Sequence, residues 1–88
     1  MNKDRRKQIE KIRQRLAVFL ATAEDIKSDL SIIRDDEQTY RDNLPEFLSD
    51  SEKAHAADVA IGALDQVIEA LDNVVDNPFD DQLTEAAA

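Results

Sequence analysis

The chain has no cysteine, one glycine, two prolines, one histidine and no tryptophan. Without cysteine there is neither a disulfide framework nor a zinc–thiolate site, and a reducing compartment fits that composition. The single glycine, Gly62, excludes a glycine-rich phosphate loop. So few Gly and Pro supply too few turns for a β-sandwich or barrel. No apolar run approaches the roughly 18 residues that a membrane span needs. The basic opening does not read as a secretion signal, because cations recur through Arg15 and no small-residue cleavage site follows. Cations are also missing from the second half: beyond Lys53 there is no Lys or Arg, while eight acids fall between Asp58 and Glu85.

What remains is one strong pattern in 88 residues, enough for one domain with a modest core. From Ile9 to Leu44 almost every step of three or four lands on an apolar residue. Written as heptads, Ile9, Leu16, Ala23, Leu30, Glu37 and Leu44 take a positions, and Ile12, Phe19, Ile26, Ile33 and Tyr40 take d positions. This spacing predicts one long coiled-coil-like helix over about residues 3–43, with a narrow seam facing another helix. The e positions are Arg13, Leu20, Lys27, Arg34 and Arg41, mostly basic, and such flanking charges set register and orientation in helix pairs. Val18, Leu20 and Ile32 widen the apolar face and favour a bundle over a two-stranded coil. Glu37 on the seam is expected to reach solvent or a neighbouring Arg34 or Arg41, since a buried lone carboxylate is costly.

Pro45 biases Leu44 away from helical geometry and can itself begin a new turn. A turn is therefore expected over about residues 44–49, with Tyr40, Leu44, Phe47 and Leu48 closing the end of the core. The second helix spans about residues 50–76, opening at Ser49 or Ser51. Ser49-Asp50-Ser51-Glu52 matches a capping box with Glu52 three residues after Ser49. Its stripe runs through Ala57, Ala60, Ile61, Leu64, Val67, Ile68, Leu71, Val74 and Val75, and alanines at the start allow close helix approach. Asn77-Pro78 ends it. Residues 1–76 thus form an antiparallel helical hairpin, and residues 77–88 form an acidic tail that is either a short helix packed through Phe79 and Leu83 or disordered.

Charge follows the same polarity. The net charge is −9, yet residues 1–15 carry seven Lys or Arg against two acids, a balance of +5. The basic arm comprises Arg5, Arg6, Lys7, Lys11, Arg13 and Arg15. Cations at a helix start oppose the macrodipole, so an acidic segment folded beside them or an acidic partner should offset the cost. Asp58, Asp65, Glu69, Asp72 and Asp76 line one side of the second helix. They form either a solvated face or an acidic recognition surface that imitates nucleic-acid phosphate.

His55 has Glu52 and Asp58 at three-residue spacing, but zinc sites want more His or Cys ligands, and a surface histidine is the expected reading. No Ser-His-Asp arrangement with an oxyanion hole is suggested. No metal, cofactor or catalytic residue is expected, and the chain reads as no enzyme.

The hinge carries a resemblance. Tyr40, Asn43, Pro45 and Glu46 form a Tyr-x-x-Asn-x-Pro-Glu pattern, followed by Ser51-Glu52 and the Ala57, Ala60, Leu64, Ile68, Leu71 stripe. Together with the opening Asn2-Lys3-Asp4-Arg5-Arg6-Lys7, this resembles a group of small acidic proteins of phages and prophages, over about residues 2–75. The resemblance implies a phage-associated helical hairpin in the cytoplasm of a bacterial host and supplies no catalytic residues. The expected function is a protein–protein interaction module that binds a host or phage protein. The alternative is an acidic nucleic-acid mimic that inhibits a nuclease or defence complex. Direct nucleic-acid binding by the arm is disfavoured by the −9 net charge.

The helices differ by about 15 residues, which leaves roughly 20–25 Å of the first helix unpaired in a hairpin. Ile9, Ile12, Leu16 and Phe19 lie in that overhang. Either the tail folds back on them or another chain covers them; a homodimer forming a four-helix bundle is the favoured expectation.

Overall fold

The computed structural model describes residues 1–88 and contains only helices, in the order α1 (Lys3–Asp42), a 3-10 turn (Glu46–Leu48), α2 (Glu52–Val75) and α3 (Phe79–Ala86). The molecule is a rod of 68 × 15 × 14 Å. At 1.5 Å per residue, the 40 residues of α1 account for most of that length.

Each boundary has a local cause. Asn2 caps α1, its side-chain carbonyl accepting from the Arg5 N–H at 2.8 Å. The helix runs until the residues before Pro45, where Asn43 returns its N–H to Thr39 and Arg41. Pro45 then starts the 3-10 turn rather than a longer helix. The capping box centred on Ser49 does not form. Ser51 is the cap of α2: its hydroxyl accepts from the Ala54 N–H at 3.3 Å and donates to the Leu48 carbonyl at 2.6 Å. Glu52 is therefore the first helical residue, one position after the cap, and cannot be the reciprocal partner three residues on.

The helices pack antiparallel in a fixed register. Arg41 donates to Asp58 at 3.0 Å, Arg34 to Asp65 at 2.9 Å, and Lys27 to Asp72. Each step moves seven residues down α1 and seven up α2, the period of a helix pair. Close approach is permitted by small residues: Ala54 and Ala57 are fully buried near the turn, and Ala23 is buried towards the other end. Only Ile61 joins them in the buried core, so the seam is thin and most apolar side chains are only half-covered. Glu37 is half-buried, takes part in no ion pair and keeps contact with water.

The closed end is looser than its sequence suggests. Leu44 and Leu48 are half-buried, whereas Phe47 is 84% exposed and Tyr40 stays substantially exposed. The 3-10 turn has three residues per turn, so Phe47 and Leu48 leave it in different directions and only Leu48 turns inward.

The tail is a helix and folds back. Pro78 interrupts α2, and α3 then lies along the first third of α1. Arg13 grips the Asp80 carboxylate through two nitrogens at 2.7 and 3.1 Å, and the Arg6 guanidinium donates to the Ala87 carbonyl at 2.9 Å. Relative to the α1–α2 register, these pairs are displaced by six residues, about 9 Å, towards the start of α1. Part of that shift comes from the break at Asn77-Pro78, because extended residues rise roughly twice as far as helical ones. Phe79 and Leu83 are half-buried, as are Ile9, Leu16 and Leu20. The expected overhang is thus covered on one side by the chain's own tail.

Candidate protein-interaction surface

The rotation of α1 about its own axis decides what the hairpin presents. Its a column faces the partner helices, flanked on one side by e residues and on the other by d residues. The e column is pulled inward. Arg13, Lys27, Arg34 and Arg41 each keep only 25–30% of their side-chain surface, and each reaches an aspartate on α2 or α3. Their aliphatic stems cover the seam while the charged heads stay wet. One heptad step beyond Lys27 and Asp72 are Leu20 and Phe79, both half-buried, so the ladder gives way there to apolar positions.

Hydrogen bonding to the aspartates raises the proton affinity of the cations. Asp80 pushes Arg13 upward, Asp72 pushes Lys27 upward, and Asp65 pushes Arg34 upward. Reciprocally, the hydrogen bond from Arg13 holds the Asp80 carboxyl below the usual carboxylate range.

The d column pays for this rotation by exposure. Ile12, Phe19, Ile26, Ile33 and Tyr40 are each 45–55% exposed. An a/d seam, as the heptads suggest, would have buried them. A d residue lies about 60° from a on a helical wheel and an e residue only about 40° on the other side, so drawing the e cations towards the acids turns d outward. The same flank of α2 carries Ala60, Val67 and Val74, which the register sets across from Tyr40, Ile33 and Ile26. Val67 is 48% exposed. The hairpin therefore has an ion-pair flank and an apolar flank. From Ile12 to Tyr40 the apolar column spans about 42 Å. Near its start, Ile12, Arg15, Leu16 and Phe19 line a shallow groove.

Of the four overhang residues, Ile9 and Leu16 are half-buried and Ile12 and Phe19 belong to the exposed column. The basic arm divides likewise. Arg13 and Arg6 hold α3, whereas Arg5, Lys7, Lys11 and Arg15 take part in none of the chain's ion pairs. The acidic row of α2 is largely engaged inside the molecule. Asp58, Asp65 and Asp72 accept from α1 cations, and Glu69 and Asp76 take part in no ion pair. His55 is exposed, and Asp58, its neighbour on the helix, is committed to Arg41. No three His, Asp or Glu side chains gather into a set that could hold a metal ion. No helix is long and apolar enough to cross a membrane.

The sequence contained a signal for the rotation: cations at residues 27, 34 and 41 and aspartates at 58, 65 and 72 share a seven-residue repeat. Comparison with known protein families, with curated proteins and with solved structures finds no significant match in any of the three.

Proposed function

We propose that the protein is a non-enzymatic interaction module, an accessory factor of phage or prophage origin that acts in the cytoplasm of a bacterial host by binding a host or phage protein. The observation that carries this reading is the column of five large apolar side chains left half-exposed along α1. Leaving such a column wet is unfavourable, since burying one large apolar side chain fully is worth about 1.5–3 kcal/mol. Contiguous exposed apolar surface rimmed by charge is the mark of a docking site. The phage-like hinge around Tyr40, Asn43, Pro45 and Glu46 supports the biological setting. Acidic nucleic-acid mimicry is the weaker reading, because three of the five aspartate and glutamate residues it needs already hold α1 in register.

The test is affinity capture from bacterial lysate with the wild type and with Phe19→Asp plus Ile33→Asp. The reading expects one protein held stoichiometrically by the wild type and lost with the double variant. Capture of nothing, or capture that survives the double variant and instead competes with DNA, contradicts it.

A further inference from the structure

The apolar flank is self-complementary. Its large exposed residues on α1 are arranged almost symmetrically about Ile26: Ile12 and Tyr40 stand fourteen residues either side, and Phe19 and Ile33 seven. Turning a second copy by a two-fold axis near Ile26 lays the columns antiparallel, so that Ile12 meets Tyr40, Phe19 meets Ile33, and Ile26 meets its own equivalent. Residues come level to within about one residue, or 1.5 Å.

The charges bordering the column obey the same symmetry. The g column of α1 is basic at its start, with Arg15, and acidic at its end, with Asp29 and Asp36. None of these three forms an ion pair within the chain. Antiparallel pairing brings Arg15 level with Asp36 of the second copy. Parallel pairing would instead stack Arg15 on Arg15 and Asp36 on Asp36, placing like charges together. The strip is about 42 Å long on a rod about 15 Å wide, on the order of 600 Å² per copy, which is the lower end of the range of standard specific interfaces.

We propose that the occupant of the apolar flank is a second copy of this chain, packed antiparallel about Ile26, with the two α1 columns at the centre, the α2 of each copy beside the opposite half of that pair, and the ion-pair ladders on the outside. This rests on the reading of the flank as a docking surface: the second copy is its resting occupant, which a host or phage protein must displace to bind at Phe19 and Ile33. The basic arms and the exposed Phe47 side chains then lie at both ends of the dimer.

The chain has no cysteine, so single cysteines report the geometry cleanly. Sedimentation equilibrium of the wild type should give a dimer at micromolar concentration. Under mild oxidation, Ile26→Cys should cross-link to itself. Ile12→Cys should not, but an equal mixture of Ile12→Cys and Tyr40→Cys should form the mixed dimer at least tenfold faster than either alone. Helical circular dichroism of each variant confirms that the hairpin is intact, and the wild-type sedimentation depends on no variant. A monomeric wild type at 100 μM overturns the proposal, as does self-cross-linking of Ile12→Cys at the rate of Ile26→Cys. A monomer that still captures another protein through Phe19 and Ile33 overturns self-pairing and leaves the interaction reading standing. A dimer that captures nothing does the reverse.

Discussion

Replacing Ala57 by leucine probes the buried turn end of the α1–α2 seam. Ala57 is 1% exposed and Ala54 fully buried, at the turn end of α2 where α1 is ending. Three added carbons have no free space in a seam built around a methyl group, so α2 must move away or adopt a strained rotamer. Overpacking of this kind costs about 1–3 kcal/mol. The unfolding entropy of a domain scales as about 2.1 cal/mol/K per residue, which for 88 residues is roughly 0.18 kcal/mol/K. The melting temperature should therefore fall by roughly 5–15 °C. Because the Arg41–Asp58 rung lies one residue from Ala57, the displacement should also weaken that pair. Thermal melting by circular dichroism at fixed protein concentration measures the effect. Val59→Leu, on the outer face of the same helix and 72% exposed, is the control and should change stability by less than about 0.5 kcal/mol. A leucine at position 57 that leaves the melting temperature unchanged, with helicity intact, would refute the close approach of α1 and α2.

Ser51→Ala should cost about 0.5–2 kcal/mol in chemical denaturation, while Ser49→Ala should cost almost nothing; the reverse order would restore the Ser49 capping box. A double-mutant cycle on Arg34 and Asp65 should give a small favourable coupling that shrinks as salt is added, since Asp65 keeps half of its side chain in water. A coupling of zero at low salt would remove the ladder as the device that sets register. The Asp80 carboxyl has its folded-state pKa lowered by Arg13, so its contribution to α3 docking is present above the unfolded carboxylate pKa and is lost as pH falls through the lower folded value. Below about pH 4 the methyl resonances of Leu83 should move towards free-helix shifts, and Asp80→Asn should show those shifts already at pH 7. Unchanged Leu83 resonances in Asp80→Asn would show that the Arg13 pair does not hold the tail.

Much of this architecture was legible in the residues, and the unread parts share a cause. The unbroken heptads from Ile9 to Leu44, the stop at Pro45 and the break at Asn77-Pro78 each act through local backbone chemistry, and α1, α2 and their boundaries follow within a few residues. The rotation of α1 did not follow from hydrophobicity, because d residues such as Phe19 and Ile33 are as apolar as the a residues beside them. Only pairing between distant residues, Lys27 with Asp72 and Arg34 with Asp65, turns one column inward and the other out. The return of α3 does not follow from the residues alone for the same reason. Phe79 and Leu83 give it an apolar face, but its seat depends on Arg13 reaching Asp80 across a register shift introduced at Pro78. The exposure of Phe47 reflects the geometry of a three-residue turn, in which one of two adjacent apolar residues must face away.

If the d column of α1 is a binding surface, its methyl groups are covered in the assembled protein. The seven isoleucines of the chain, three of them in that column, allow a direct reading by methyl NMR in the presence of a soluble paramagnetic agent. Ile61, in the core, should be protected at every protein concentration, and the exposed methyls of Val59 should be broadened at every concentration. Ile12, Ile26 and Ile33 should be broadened in dilute protein and become protected together as concentration rises through the dimerisation range. Methyls of Ile12, Ile26 and Ile33 that broaden as fully in concentrated protein as in dilute protein would show that no second copy covers the column.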